Sequence, residues 1–115
     1  MNIRPATADD CKRFWGSETP VSMRAFVAEQ DGVVMAVAGL AFMSSGIMAF
    51  SDQSPEMPPH AMTAMRMAKK IIGVMQDIKS PVYCTADKTK PNACSFLERI
   101  GFTPLGNRNY IWSKK

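Results

Sequence analysis

The chain has 115 residues, enough for one domain around a single core, and its 46% hydrophobic content is that of a globular protein. Its net charge is +4, but the basic residues are scattered without an arginine-rich run, which argues against direct binding of nucleic acid. No apolar run approaches the roughly 20 residues that span a bilayer, and no basic, apolar leader is present, so a cytoplasmic protein without a membrane partner is expected.

The cysteines predict free thiols. Cys11, Cys84 and Cys94 form no Cys-x-x-Cys pair and are odd in number, which favours a reducing compartment and argues against a zinc site. Cys84 has two interpretations, a nucleophile in a cleft or a buried inert thiol. The absence of a histidine in the same strand or loop favours the inert thiol.

The first half of the chain predicts a strand, a helix and an antiparallel meander. The predicted segments are a strand at 2–6, a helix reaching about residue 15, and strands at 23–30, 33–43 and 47–50. Thr7, Asp9 and Asp10 are alternative caps for the helix, and Gly16 ends it. Asp31-Gly32 is a tight-turn signal that joins two of the strands as a hairpin.

The second half predicts a long amphipathic helix and a shorter one, separated by a strand. The predicted segments are helices at 60–79 and 90–100 and strands at 82–86, 102–105 and 110–113. Apolar residues recur along the long helix at steps of three and four, and Pro81 ends that segment. Trp15 and Trp112 are expected to cover edges of the core. The order of elements predicts an α+β fold.

Two segments at opposite ends of the chain resemble one enzyme superfamily. Residues 3–10 read Ile-Arg-Pro-Ala-Thr-Ala-Asp-Asp, and residues 90–102 form a helix that ends on Ile-Gly-Phe before a strand. Together they resemble the GCN5-related N-acetyltransferases, the GNAT superfamily. The resemblance implies a single acetyltransferase-like domain over 1–115, with a mixed central sheet flanked by helices. In it, strands 47–50 and 82–86 are parallel neighbours that splay around the pantetheine arm of acetyl-CoA.

The resemblance also implies a phosphate site at the start of the long helix, where free N–H groups and the helix dipole attract anions. The family's Arg/Gln-x-x-Gly-x-Gly/Ala loop corresponds to residues 54–63, which contain three prolines and neither glycine nor arginine. Pro58 or Pro59 at the first helical position has two interpretations. It leaves the next amides free to bind phosphate, or it only begins the helix. The predicted cofactor-binding residues are Ala61, Met62, Thr63, Arg66, Lys69 and Lys90.

Acetyl transfer needs a base for the amine proton and an acid for the departing thiolate. The tyrosine that the family often places in its last helix corresponds to Leu97. Tyr83 is the expected substitute, or else an aromatic residue at the strand surface. Asp52 and Glu29 are the candidate bases, or else solvated carboxylates at strand ends. His60, the only histidine, either carries a proton or is exposed at the first turn of its helix.

Two classes of function follow from the resemblance. The first is transfer of an acetyl group from acetyl-CoA to an unidentified small-molecule or protein amine. The second is a catalytically inactive relative that acts by binding, because the short chain without the glycine loop or the tyrosine is similar to compact phage-encoded members, some of them virion components. Such a protein would act in the host cytoplasm or in the virion, and either class allows a homodimer.

Overall fold

The computed structural model describes residues 1–18, 21–56 and 61–113. Within these ranges, three helices pack on one mixed sheet of seven strands in the order β1-β2-β3-β4-β5-β7-β6. The strands are β1 (Asn2–Pro5), β2 (Ser22–Gln30), β3 (Val33–Met43), β4 (Gly46–Gln53), β5 (Val82–Thr85), β6 (Thr103–Gly106) and β7 (Asn109–Trp112). The helices are α1 (Ala8–Trp15), α2 (Ala61–Gln76) and α3 (Ala93–Arg99). The predicted α+β class is confirmed.

The sheet is antiparallel except where β4 meets β5. Because α2 carries the chain across between these two strands, they run in the same direction. Their shared ladder has two pairs, Ile47 with Val82 and Met48 with Tyr83. Beyond Met48, β4 continues to Gln53 paired with β3. The predicted parallel relation of segments 47–50 and 82–86 is therefore confirmed, and the stretch beyond Met48 and Tyr83 where the two strands are not paired with each other is called the opening.

Each face of the sheet carries its own hydrophobic core. Helices α2 and α3 cover the larger core, in which Leu40 and Met75 are fully buried. Helix α1 covers the smaller core, which contains Val27 and Val37. Because successive side chains of a strand point to opposite faces, Val37 and Leu40 of β3 belong to different cores.

Helix α1 is fixed at both ends by residues that the sequence singled out. Thr7 is the N-cap, and its hydroxyl accepts a hydrogen bond from the main-chain N–H of Asp10 at 3.1 Å. The Asp10 carboxylate accepts bonds from Thr7 and, at 2.6 and 2.9 Å, from the Arg4 guanidinium of β1. Gly16 ends the helix with φ 76°, a left-handed conformation that suits glycine. Helix α1 is thereby attached to the first strand.

Both remaining helices are shorter than predicted. Helix α2 ends at Gln76 rather than at residue 79. The chain after it forms hydrogen bonds of the 3₁₀ type, such as that from the Ile78 N–H to the Met75 carbonyl at 3.1 Å, because Pro81 follows shortly. Helix α3 begins at Ala93 rather than 90 because the proline that follows Lys90 disfavours a helical conformation there. The predicted start of the long helix at residue 60 lies outside the described residues.

The Ile-Gly-Phe segment ends α3 in a Schellman motif. Gly101 has φ 109°, and its N–H donates to the carbonyl of Glu98 at 3.2 Å. The N–H of Phe102 donates to the carbonyl of Leu97 at 3.0 Å. Leu97 and Phe102 are both buried, as the hydrophobic contact of this motif requires. The prediction that Gly101 ends the helix is confirmed.

Strands β2 and β3 approach so closely that Gly39 has no room for a side chain. A Cβ on Gly39 would lie 2.5 Å from the Cα of Ala25 and would overlap the main chain of Arg24. We expect Gly39→Ala to lower the free energy of unfolding by about 1–3 kcal/mol, because main-chain atoms of a paired strand cannot move aside. Urea unfolding followed by circular dichroism measures the change.

Gly73→Ala is the matched control. Gly73 lies on the exposed side of α2, where nothing lies within 4 Å of an added Cβ. This substitution should raise the free energy of unfolding by about 0.5–1 kcal/mol, because alanine favours the helix. A Gly39→Ala variant as stable as the unsubstituted chain would contradict the close approach of the strands.

Candidate functional site

The opening between β4 and β5 leads into a cavity of about 890 Å³. On one face of the sheet, α2 and α3 form its walls with apolar side chains that include Ala64, Ala68, Ile71, Ala93, Phe96 and Ile100. Consecutive residues 48–53 of β4 also line it, so the cavity reaches both faces of that strand. It therefore passes through the sheet to the side of α1. Its volume falls in the range of roughly 300–1,000 Å³ that is usual for small-molecule sites.

A carboxylate and aromatic rings meet at the α1 end of the cavity. Trp15, the last residue of α1, donates its Nε1–H to Oδ2 of Asp52 at 2.9 Å. Oδ1 of Asp52 accepts the main-chain N–H of Gln53, also at 2.9 Å. The Trp15 ring packs against Phe50 with 5.9 Å between centroids, since Phe50 and Asp52 lie on the same face of β4. These contacts fix the carboxylate beside the two rings.

A cationic side chain lies at the other end, between β5 and α3. Lys90 and Asp87 both line the cavity there. Thr89 donates to Oδ1 of Asp87 from its hydroxyl at 2.7 Å and its main-chain N–H at 2.9 Å, and these bonds lower the pKa of Asp87. Arg108 donates to the main-chain carbonyls of Ala86 and Asp87 and ties this loop to the turn before β7. The loop that carries Lys90 is thus held in place.

Of the three predicted catalytic residues, the structure brings Asp52 alone to the cavity. A Cβ on Gly46 would lie 3.8 Å from the Tyr83 ring, which places that ring at the start of β4, away from the opening. Glu29 forms an ion pair with Arg4 at 3.2 Å on β2, and the hydrogen bond from Arg4 lowers its pKa. Glu29 and Tyr83 therefore lack the position that proton transfer in the cavity requires.

The cationic residues predicted to bind the cofactor fall into two groups. All three side chains are exposed, but Lys90 lines the cavity, whereas Arg66 and Lys69 do not. Arg66 lies midway between Ala64 and Ala68, and both alanines line the cavity. A step of two residues is about half of a 3.6-residue helical turn. Its side chain therefore points away from the cavity, so the expected assistance of Arg66 and Lys69 in cofactor binding stays a prediction and concerns the outside of the cavity.

The start of α2 lies near the cavity. Ala61 is the first residue of α2, and Ala64 in its first turn lines the cavity. Met62 is 75% exposed and Thr63 is 1% exposed, so their side chains are on different sides. The amides of this turn lie at the helix end that favours anions. The other residues considered for this segment, Pro58, Pro59 and His60, lie outside the described residues.

The half-buried cysteine of the cavity does not supply a nucleophile near neutral pH. Cys84 lines it, and burial raises the pKa of this thiol to about 11, so it stays protonated near neutral pH. Leu97, at the position of the family's tyrosine, is buried in the cavity wall. The described part of the chain contains no cluster of metal-ligating side chains and no helix that is long and apolar enough to cross a membrane.

Trp15 is the site residue that the sequence did not indicate. It was expected to cover a core edge, and it does pack edge-on against Phe14 with centroids 5.8 Å apart. Its bond to Asp52, however, joins residues 37 positions apart in the chain. Phe50 and Asp52 are two positions apart in a strand, and this spacing is the one local signal that their side chains lie on the same face.

Comparison with protein-family models, with curated proteins and with solved structures gives no match to the chain. The relation to the acetyltransferases thus rests on the two sequence segments and is a resemblance.

The state of Cys84 can be tested by alkylation. Because burial raises its pKa to about 11, native Cys84 should react with iodoacetamide at pH 8 at least about a hundredfold slower than in the unfolded chain. Its rate should still rise about tenfold per pH unit between pH 8 and 10, since the thiolate fraction is still increasing there.

Mass spectrometry of peptides from native and urea-unfolded samples gives the rate at Cys84 in each state. The unfolded chain is the control, because there the rate should level off above about pH 9. A native rate that levels off at the same pH would show that the thiol is not buried.

Proposed function

We propose that this chain binds an acyl-CoA thioester, with acetyl-CoA as the leading candidate, in the cleft between β4 and β5 and transfers the acyl group to an amine. The observation that carries the proposal is the cavity that passes through the sheet beside the two-pair ladder of these strands. Beyond Met48 and Tyr83, the facing edges of the strands are no longer paired with each other. Such edges offer main-chain donors and acceptors to the amides of a pantetheine arm.

The charges at the two ends of the cavity support one direction of binding. Lys90 lies where β5 and α3 join and favours the phosphates of the cofactor, as do the amides of the first turn of α2. The net charge of +4 favours the approach of an anionic ligand. The thioester end then extends through the opening toward Asp52.

Asp52 is the proposed general base. Its carboxylate is exposed, lines the cavity and is oriented by the Trp15 N–H, so it can accept a proton from an amine that enters on the α1 side. The amine nitrogen then bonds to the acyl carbon as the carbon–sulfur bond breaks, and the thiolate takes a proton from water. The apolar walls limit the access of other water to the thioester.

The second candidate function is binding without turnover. This function is favoured by the positions of the phenol side chains, which could otherwise protonate the departing thiolate. Leu97 replaces the family's tyrosine, and among the described residues the phenols of Tyr83 and Tyr110 lie outside the cavity lining. A catalytically inactive relative would still bind acyl-CoA or a host or virion protein on this fold.

Charge reversal tests the phosphate end of the cleft. We expect Lys90→Glu to weaken acetyl-CoA binding about tenfold, because an attraction to the phosphates becomes a repulsion. Lys69→Glu makes the same change in net charge on the exposed side of α2, outside the cavity lining, and should have little effect. Isothermal titration calorimetry measures both affinities. Equal weakening by both variants would indicate general charge attraction and contradict the site.

Turnover separates the two candidate functions. We expect Asp52→Asn to lower the rate of CoA release in the presence of an amine by about a hundredfold or more, the usual effect of losing a general base. Acetyl-CoA affinity should stay unchanged in this variant, because Asp52 lies at the other end of the cavity. If the unsubstituted chain binds acetyl-CoA and releases no CoA with any amine of a broad panel, the transferase proposal is wrong and the binding function remains.

A further inference from the structure

Asp52 carries the negative charge at the α1 end of the cavity, and no cation compensates it among the described residues. Its two hydrogen-bond donors are the indole N–H of Trp15 and the main-chain N–H of Gln53, and both are neutral groups. The ion pairs of the described residues involve other carboxylates. An exposed carboxylate that is oriented by neutral donors and has no cationic partner among the described residues can pair with a cation supplied by a ligand.

The surroundings of Asp52 are apolar and aromatic. The rings of Trp15 and Phe50 lie 5.9 Å apart at an angle of 50°, and Met48, which also lines the cavity, lies on the same face of β4 as Phe50. Aromatic faces attract cations as well as apolar groups. Methionine side chains adapt their shape to the group that they contact.

We infer that the acceptor is a small primary amine, cationic in solution, that carries one apolar or aromatic substituent. Its ammonium group pairs with Asp52 and gives that carboxylate one proton to become the attacking amine, and a second proton leaves to water as the amide forms. Its substituent packs against Trp15 and Phe50. This inference rests on the proposed function, since the amine is the acceptor of that reaction. The binding of the amine can nevertheless be measured without any thioester.

The same contacts disfavour the other common amines. A polyamine would place a second ammonium group among apolar side chains without a partner, which carries a desolvation cost. An α-amino acid would bring its own carboxylate close to Asp52, and the two negative charges would repel each other. A neutral alcohol of the same shape would keep the apolar contacts and lose the ion pair.

Trp15 itself reports on binding. The chain has two tryptophans, so in a Trp112→Phe background the emission comes from Trp15. The probes are 2-phenylethylamine, the isosteric alcohol 2-phenylethanol and the anion phenylacetate. We expect the amine to bind at least about tenfold more tightly than the alcohol and the anion to bind most weakly. Calorimetry with the unsubstituted chain repeats the series without the tryptophan substitution.

Two variants assign the preference to its residue. Asp52→Asn preserves the shape and removes the charge, so amine and alcohol should bind this variant with equal affinity. Asp77→Asn makes the same change at an exposed position after α2 and should leave the preference intact. Circular dichroism and thermal melting establish that both variants fold.

Three results would overturn the inference: equal binding of amine and alcohol by the unsubstituted chain, a preference for the anion, or no binding of the amine at millimolar concentration. An amine preference that survives Asp52→Asn would also overturn it, since the cation would then bind elsewhere. Acetyl-CoA binding is measured separately in the same samples. The absence of acetyl-CoA binding alone would contradict the proposed transferase. Loss of the amine preference alone would contradict the inference that the acceptor is a cationic primary amine.

Discussion

The short parallel ladder between β4 and β5 determines how the rest of the molecule is arranged. Its two pairs, Ile47 with Val82 and Met48 with Tyr83, join the two halves of the sheet. Helix α2 crosses between the strands but packs chiefly on β2 and β3, whereas α3 contacts β6. On this face of the sheet, residues of both helices line the cavity beside β4 and β5.

The two ends of the cavity differ because different parts of the chain reach them. The loop after β5 brings Lys90 to one end, and α1 brings Trp15 to Asp52 at the other. The position of α1 depends on the Arg4 guanidinium, which joins β1 to Asp10 at the first turn of the helix. Asp10 is 2% exposed, and a charge so deeply buried is tolerated because Arg4 and the capping residue satisfy it. An ion pair far from the cavity thus supports the geometry at Asp52.

The fold could be predicted from the sequence wherever local backbone preference decides the structure. Strand β3 occupies residues 33–43 as the apolar run indicates. Gly16 and Gly101 end their helices, because glycine reaches the left-handed conformation without a steric cost. Boundaries were less predictable where proline and tertiary packing compete, as at both ends of α3 and at the end of α2.

The candidate site was less predictable, because its contacts join residues that are distant in the chain. The sequence placed Asp52 at the end of a strand, but the bond from Trp15 spans 37 positions and depends on how α1 packs on the sheet. Glu29 was the second candidate base, after Asp52, and only the fold shows its pairing with Arg4, 25 positions away. The sequence by itself determined the strands, the turns and the helix ends, which depend on neighbouring residues. The tertiary structure alone decided which charged groups face the cavity, because strand order and helix rotation fix that choice.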